Sequence, residues 1–462
     1  MTTVHHPPML QRPQLDAVSA EILSIIASFL APSLHVPPMA LYRWTPPDCL
    51  YSSLSQAFRD TLAFCLTCRT VAATVRPHLL RNVHVISGRS LVKLLYTVYR
   101  QPEIGAQILN FSSHIDLGAM ECEAEVFDAW HRQRAHLEGG TEFENLMDYC
   151  PGFAGDAFRP IIKHYMFCAA RVLRVLLRFM PALESLFIKG IEGTYVLRTK
   201  PHSHKYEACN ADALHKKELY NGNLFNSHVE LEDWSILPLK LKRLQLQASQ
   251  PDRYGLAFPV NRFLRFLSNL EILEVSGGNI LQTWDSLVLP YFPTTYPCLR
   301  RLHLYDSGIN ERQLIRLCQT FINLRELLVN YYCSPVDHTH EMVPKGTEPR
   351  GPQSDTDHTL NNALLGLAGS LRSLTIVAQA DSTDHFLVTD PLGRRYLHCL
   401  PSMANLEHLN VDLSCLCGPG SDFNSHWLLT SPPGMTAFPA SLQTLTIFLR
   451  WSRLENQKAP KN

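Results

Sequence analysis

A chain of 462 residues exceeds the size at which one hydrophobic core stops growing, so two domains or one elongated array are expected. Lys and Arg (42) balance Asp and Glu (42), which excludes the whole-molecule basic field that holds nucleic acid, and the 45% apolar share is that of an ordinary folded protein. Thirteen cysteines follow no framework spacing, no apolar run reaches the length of a membrane span, and MTTVHHPPMLQRP has no signal-peptide core, so a cytoplasmic or nuclear protein with reduced cysteines and no membrane partner is expected.

Residues 1–14, with His5, His6 and three prolines, read as a disordered arm. The first ordered unit spans 15–79. In LDAVSAEILSIIASFL, Ser19 reads as an N-cap, with Ile22, Leu23, Ile26, Phe29 and Leu30 as an apolar stripe behind it. A Pro-rich insertion at 31–55 interrupts the pattern. Phe58, Leu62, Phe64, Cys65, Leu66, Cys68, Val71 and Val75 then predict two apolar helices, and Leu80, Val83 and Val85 a first strand-like triplet. From 86 to 180 the chain is helix-rich. Leu91, Leu94, Leu95, Val98 and Tyr99 form one amphipathic set, Ile108, Leu109 and Phe111 read as a strand, and the apolar run from Val172 to Phe179 predicts a helix ending before Pro181. Between them, 120–158 reads as an irregular insertion.

A repeat follows. The spacing L-x-x-L-x-L begins at Leu183, Leu241, Leu270, Leu299, Leu324, Leu371, Leu406 and Leu442. Starts at 241, 270, 299 and 324 differ by 29, 29 and 25, an interval typical of strand-turn-helix solenoid units. The unit from Cys298 to Asn330 is the clearest: strand leucines at 299, 302 and 304, a turn at Asp306-Ser307-Gly308, and helical spacing over Glu311 to Thr320. The interval from 183 to 241 reads as two units with one degenerate strand, and 333–358 as a polar insertion. The array spans 80–455, with insertions near 120–158 and 333–358, and 456–462 is a polar tail. Strand alternation sends Leu302 and Leu304 inward and Arg301, His303 and Tyr305 outward. Arg243, Gln245, Gln247, Glu274, Glu326, Asn330, His408 and Asn410 share the outward side. This row of polar and aromatic groups suits the reading of an extended protein surface; the simpler reading of any one member is a solvated strand residue.

These repeats resemble the cysteine-containing type of leucine-rich repeat. Residues 15–79 resemble an F-box: Glu21, Ile22, Leu23, Ile26 and Leu30 match its first half, and Phe64, Cys68, Arg69, Pro77 and Leu79 its second. Ser19 stands where that family has proline, and the loop at 31–55 is longer than the family's. The chain is thus similar to F-box proteins with leucine-rich repeats, of the divergent fungal kind. The resemblance implies an α/β fold: a short helical F-box, then a curved solenoid with parallel strands on its concave face. It also implies a substrate-recognition subunit of a Skp-cullin-F-box ubiquitin ligase. The Skp adaptor, and through it a cullin, would be held by Ile22, Leu23, Ile26, Leu30, Phe64, Cys68 and Arg69, with Leu23 and Ile26 expected to be exposed. A protein substrate would lie on the outward row. The alternative is a leucine-rich-repeat scaffold whose degenerate F-box no longer joins a ligase.

No enzyme signature accompanies this pattern, and no cofactor or metal is expected. Cys65-x-x-Cys68 lacks a second pair at metal spacing and reads as helix packing. His340-Glu341 lacks the second histidine of a zincin, and His338 and His340, like His202 and His204, read as solvated loop. No phosphate loop, dinucleotide fingerprint or nucleophile elbow is found.

Overall fold

The computed structural model describes residues 18–30, 47–115, 120–135, 169–191, 240–248, 267–276, 296–307, 311–332, 360–379, 397–412, 415–416 and 438–448. The expected arm, the 333–358 insertion and the polar tail lie outside these residues, as do His202, His204, His338 and His340.

Among the described residues, ten strands form one sheet: β1 Asn82–Val85, β2 Asn110–Ser113, β3 Ser185–Ile191, β4 Arg243–Ala248, β5 Ile272–Ser276, β6 Arg301–Ser307, β7 Glu326–Tyr332, β8 Ser373–Gln379, β9 His408–Asp412 and β10 Thr444–Phe448. Every neighbouring pair is parallel, and strand order in the sheet equals order in the chain. Each of the eight leucine matches supplies one strand, β3 to β10, beginning two residues after its first leucine. The register stacks like on like. Leu244, Leu273, Leu302, Leu327, Leu374 and Leu409 form one inward row, and Leu246, Val275, Leu304, Val329, Ile376 and Val411 a second. All twelve are buried, so each repeat buries its apolar face only against its neighbours.

A second regularity locks the repeats together. Just before each strand from β3 to β10, two successive amides donate to one carbonyl of the preceding unit. Lys242 and Arg243 donate to Glu184, Glu271 and Ile272 to Lys242, Arg300 and Arg301 to Glu271, and Arg325 and Glu326 to Arg300. The residue before the first leucine adds a side-chain bond: Asn323 Nδ2 donates to the Pro297 carbonyl (2.9 Å) and Asn405 Nδ2 to that of Gly369 (2.8 Å).

Two expectations about the array need correction. β3 pairs directly with β4, Ser185 opposite Arg243, so no strand lies between them. The edge of β3 that faces β4 is already filled, so the sheet has no place for the degenerate strand expected between Leu183 and Leu241. The segment 120–158 is also not irregular at its start, because Met120–Ala135 is a helix.

Among the described residues the α-helices are α1 Ala20–Leu30, α2 Pro47–Cys65, α3 Arg69–Arg81, α4 Gly88–Arg100, α5 Pro102–Gly105, α6 Met120–Ala135, α7 Ala169–Arg178, α8 Glu311–Thr320 and α9 Leu360–Leu365. α2 begins inside the expected 31–55 loop; proline is tolerated at a first helical position, where its missing N–H has no partner to lose. Ser87 and Ser90 cap α4 reciprocally, each hydroxyl accepting from the other's amide at 3.2 and 3.1 Å. Glu125 of α6 accepts from the Gly88 amide (2.9 Å), placing a carboxylate at the positive end of α4. Val126, Ala129 and Trp130 are the buried face of α6, at i, i+3 and i+4. Gly105 lies where any Cβ would strike the Phe179 carbonyl at 2.1 Å.

Two cores result. One runs along the sheet from Val85 to Leu416. The other, of Leu23, Ala27, Cys65, Val71 and Val75, closes α1, α2 and α3 on themselves. α3 passes straight into β1, with Asn82 serving as its C-cap.

Candidate functional site

Two surfaces carry the candidate residues. The first is α1. Ser19 starts the helix: its hydroxyl accepts from the Ile22 amide at 3.4 Å, and its carbonyl from that of Leu23 at 3.1 Å. Leu23 and Ala27, one turn apart, face the three-helix core and are fully buried. Ser24 Oγ meets His78 Nε2 at 2.9 Å, and Thr61 Oγ1 donates to the Leu30 carbonyl at 2.8 Å, so the helix is pinned to both its neighbours. Burial, then the Arg81 charge, lowers the pKa of His78 and favours its neutral form.

α1 has a second apolar face. Ile22, Ile25, Ile26 and Phe29, spaced i, i+3, i+4 and i+7, project away from the core. Ile25 is 55% exposed and Phe29 is 85% exposed. α2 adds exposed Phe58 and Leu62. The expectation that Leu23 lies on this surface is corrected: three-helix closure takes Leu23, and Ile25 and Phe29 stand in the open. Ile26 is exposed as expected, Leu30 and Phe64 are half-buried, and Arg69 opens α3 on the surface. Cys68 is the N-cap of α3, its sulfur accepting from the Val71 amide at 3.5 Å, and Cys65 is buried, so this pair packs and caps.

The second surface is the outward side of the sheet. Parallel register lines up Gln245, Glu274 and His303 in one row and Arg301 beside Glu326 in the next. Glu274 is almost fully buried. It accepts from Gln245 Nε2 and from Arg243 Nη2 (3.4 Å), and lies 3.6 Å from His303 Nδ1. On its other side His303 Nε2 lies 3.5 Å from Glu326. Arg301 grips Glu326 through Nη2 (2.7 Å) and Nε (2.5 Å). The imidazole therefore bridges two carboxylates, and Tyr305 Oη sits 3.1 Å from its Nδ1. The His303 hydrogen bond, reinforced by Arg301, holds the Glu326 carboxyl down at about 2. Burial first, then the Glu274 charge, pushes the Tyr305 phenol well above its usual range.

This row is not the open polar strip expected. Gln245, Glu274 and Tyr305 are buried, and Phe187, Tyr305 and Leu328 form a small apolar cluster of their own. The charges face one another, which satisfies them at the cost of leaving few free for a partner. Arg243, Gln247, Arg301, His303, Glu326 and Asn330 remain half-buried. Farther along, His408 Nδ1 meets Thr444 Oγ1 at 2.7 Å and Asn410 Nδ2 donates to Thr375 Oγ1 at 3.1 Å.

Sequence reading missed a third group at the other end. Ser112 Oγ lies between His84 Nδ1 (2.5 Å) and His114 Nε2 (3.1 Å), with the His114 ring 5.0 Å from that of Phe187. Burial lowers His84 to about 4. Burial, then the neighbouring His84 and Lys189 charges, lowers His114 to about 3. Period-two alternation in NVHV and NFSSH was the available signal, but it needed the β1–β2 register to bring the residues together. Among the described residues, no group of three or more His, Cys, Asp and Glu could hold a metal ion, and no helix is long and apolar enough to cross a membrane. No protein-family model matches the chain, and no curated protein is significantly similar to it.

Proposed function

We propose that the chain is a substrate-recognition subunit of a Skp-cullin-F-box ubiquitin ligase. In this reading α1 to α3 are an F-box that docks the Skp adaptor, and through it a cullin. The sheet is the concave face of a curved leucine-rich-repeat solenoid that holds a protein substrate. The observation that carries the reading is the second apolar face of α1. A helix that buries Leu23 and Ala27 in its own core has no structural need for Ile22, Ile25, Ile26 and Phe29 on another face, and such a surface gains by meeting a partner. The separate core of this unit and its continuous backbone link to β1 fit a module that holds an adaptor at one end of a rigid array. The chain then contributes no catalytic residue. It acts by holding a substrate lysine near a charged conjugating enzyme, which turns a bimolecular encounter into a local one. Such ligases work in the cytoplasm and nucleus.

Co-purification of the intact chain with the Skp adaptor, beside an Ile25→Asp/Phe29→Asp variant, tests this. Retention by the native chain and loss in the variant are expected. A folded native chain that retains no adaptor would leave only the alternative, a repeat scaffold outside any ligase.

A further inference from the structure

The residue just before each strand belongs to a ladder of its own along one rim of the sheet. The paired amides that precede the strands join Lys242 to Glu184, Glu271 to Lys242, Arg300 to Glu271, Arg325 to Arg300, Arg372 to Arg325 and Glu407 to Arg372. Neighbouring strands lie about 4.8 Å apart, so these side chains start from successive, rigidly held rungs. Two of the cations find a carboxylate one rung away: Lys242 Nζ reaches Glu184 Oε2 at 3.2 Å, and Arg372 Nη1 reaches Glu407 Oε1 at 3.3 Å. One position further into the strands, Arg301 holds Glu326 of the next rung in the same way. Arg325 is the exception, because its neighbours on the ladder are Arg300 and Arg372, and like charges on adjacent strands repel. Among the described residues, no ion pair or side-chain hydrogen bond engages the Arg300 or Arg325 guanidinium. Both residues are exposed, and both lie inside continuously described segments, 296–307 and 311–332.

Three arginines in line, with Glu271 on the rung before them and Glu407 on the rung after, make a short cationic row of fixed length. From Arg300 to Arg372 is two rungs, about 10 Å, which is the rise of about three residues of extended chain. We propose that this rim binds an extended acidic peptide segment with two Asp or Glu residues three positions apart, its carboxylates shared among Arg300, Arg325 and Arg372. Charge complementarity selects this occupant. A guanidinium fork matches a carboxylate through two parallel hydrogen bonds. The arginine that lacks a carboxylate within the fold takes one from the partner, and repulsion along the row becomes attraction to it. A nucleic-acid strand fits less well. It carries its charge without interruption, and Glu271 and Glu407 would meet its phosphates on both sides of the row. The zero net charge of the chain supplies no wider field to offset them. The inference uses neither α1 nor an adaptor, so it stands apart from the ligase reading.

Fluorescence anisotropy with the full chain at low ionic strength tests it. The probes are a labelled peptide in which two Glu residues flank Ser-Ser and an equally charged peptide in which the two Glu residues are adjacent. The expected result is saturable binding of the spaced peptide, tighter than that of the adjacent one and weakened by salt. Arg325→Glu should weaken it about tenfold or more, and Lys242→Ala, on the same ladder but outside the row, should leave it unchanged. Melting temperatures separate a binding role from a structural one. Arg325→Glu removes a repulsion and sets a carboxylate between two arginines, so it should melt no lower than the native chain. No saturable binding, equal affinity for the two peptides, an equal loss on Lys242→Ala, a lower melting temperature for Arg325→Glu, or tighter binding of a short single-stranded oligonucleotide would overturn the proposal.

Discussion

Leu23 and Phe29 lie six positions apart on α1 and should answer truncation in opposite ways. Leu23 is sealed in the three-helix core, so Leu23→Ala should cost about 2–5 kcal/mol through lost burial and a residual cavity. Phe29 stands in solvent, and Phe29→Ser should stay within about 0.5 kcal/mol. Amide exchange across α1 and α3 separates the two cases. Two pH windows belong to this scale as well. His84 and His114 are neutral in the fold down to about 4 and about 3, whereas an unfolded histidine takes its proton near 6.5. The unfolded chain therefore binds more protons, and stability is lost as pH falls below 6.5. Glu326, held at about 2 against a usual 4.5, adds stability present above 4.5 and lost as pH falls from there toward 2. Denaturation titrations against pH should show both, with His84→Gln/His114→Gln flattening the upper window and Glu326→Gln the lower.

Element by element, the leucine spacing made most of the sheet legible. All eight matches became strands, and the helical period over Glu311 to Thr320 became α8 with the same bounds. These readings held because one buried face dictates a repeating pattern. α6 escaped because its buried positions, Val126, Ala129 and Trp130, are few, and acidic residues surround them. Its place is set by packing on α4 and by the Glu125 bond to the Gly88 amide, and no single-sequence pattern carries that. Trp130→Ala should destabilise the protein by about 3–5 kcal/mol, measured by chemical denaturation; a change below about 0.5 kcal/mol would mean that α6 is not docked there. The candidate site was legible in the same partial way. Alternation named the outward residues correctly, but it could not foresee that Gln245, Glu274 and Tyr305 would be buried with their charged neighbours turned on one another. On α1 the sequence showed one apolar stripe and placed Leu23 with Ile26 on the exposed side, whereas three-helix closure takes Leu23 into the core and leaves Ile25, outside that stripe, exposed beside Ile26 and Phe29.

Across the whole molecule, the array is a chain of neighbour contacts joined to a small separate core. Leu302 stacks between Leu273 and Leu327, so Leu302→Ala should lower amide protection most in β5, β6 and β7 and least in β1 and β2. At the other end, α1 sets an apolar face outward while its own core closes without it. The most direct test of the proposed role is calorimetric titration of the intact chain with the Skp adaptor at several temperatures, beside the Ile25→Asp/Phe29→Asp variant. Saturable binding with a negative heat-capacity change, lost in a variant that melts like the native chain, is the predicted result. No binding by a folded native chain, or binding untouched by the two substitutions, would contradict it.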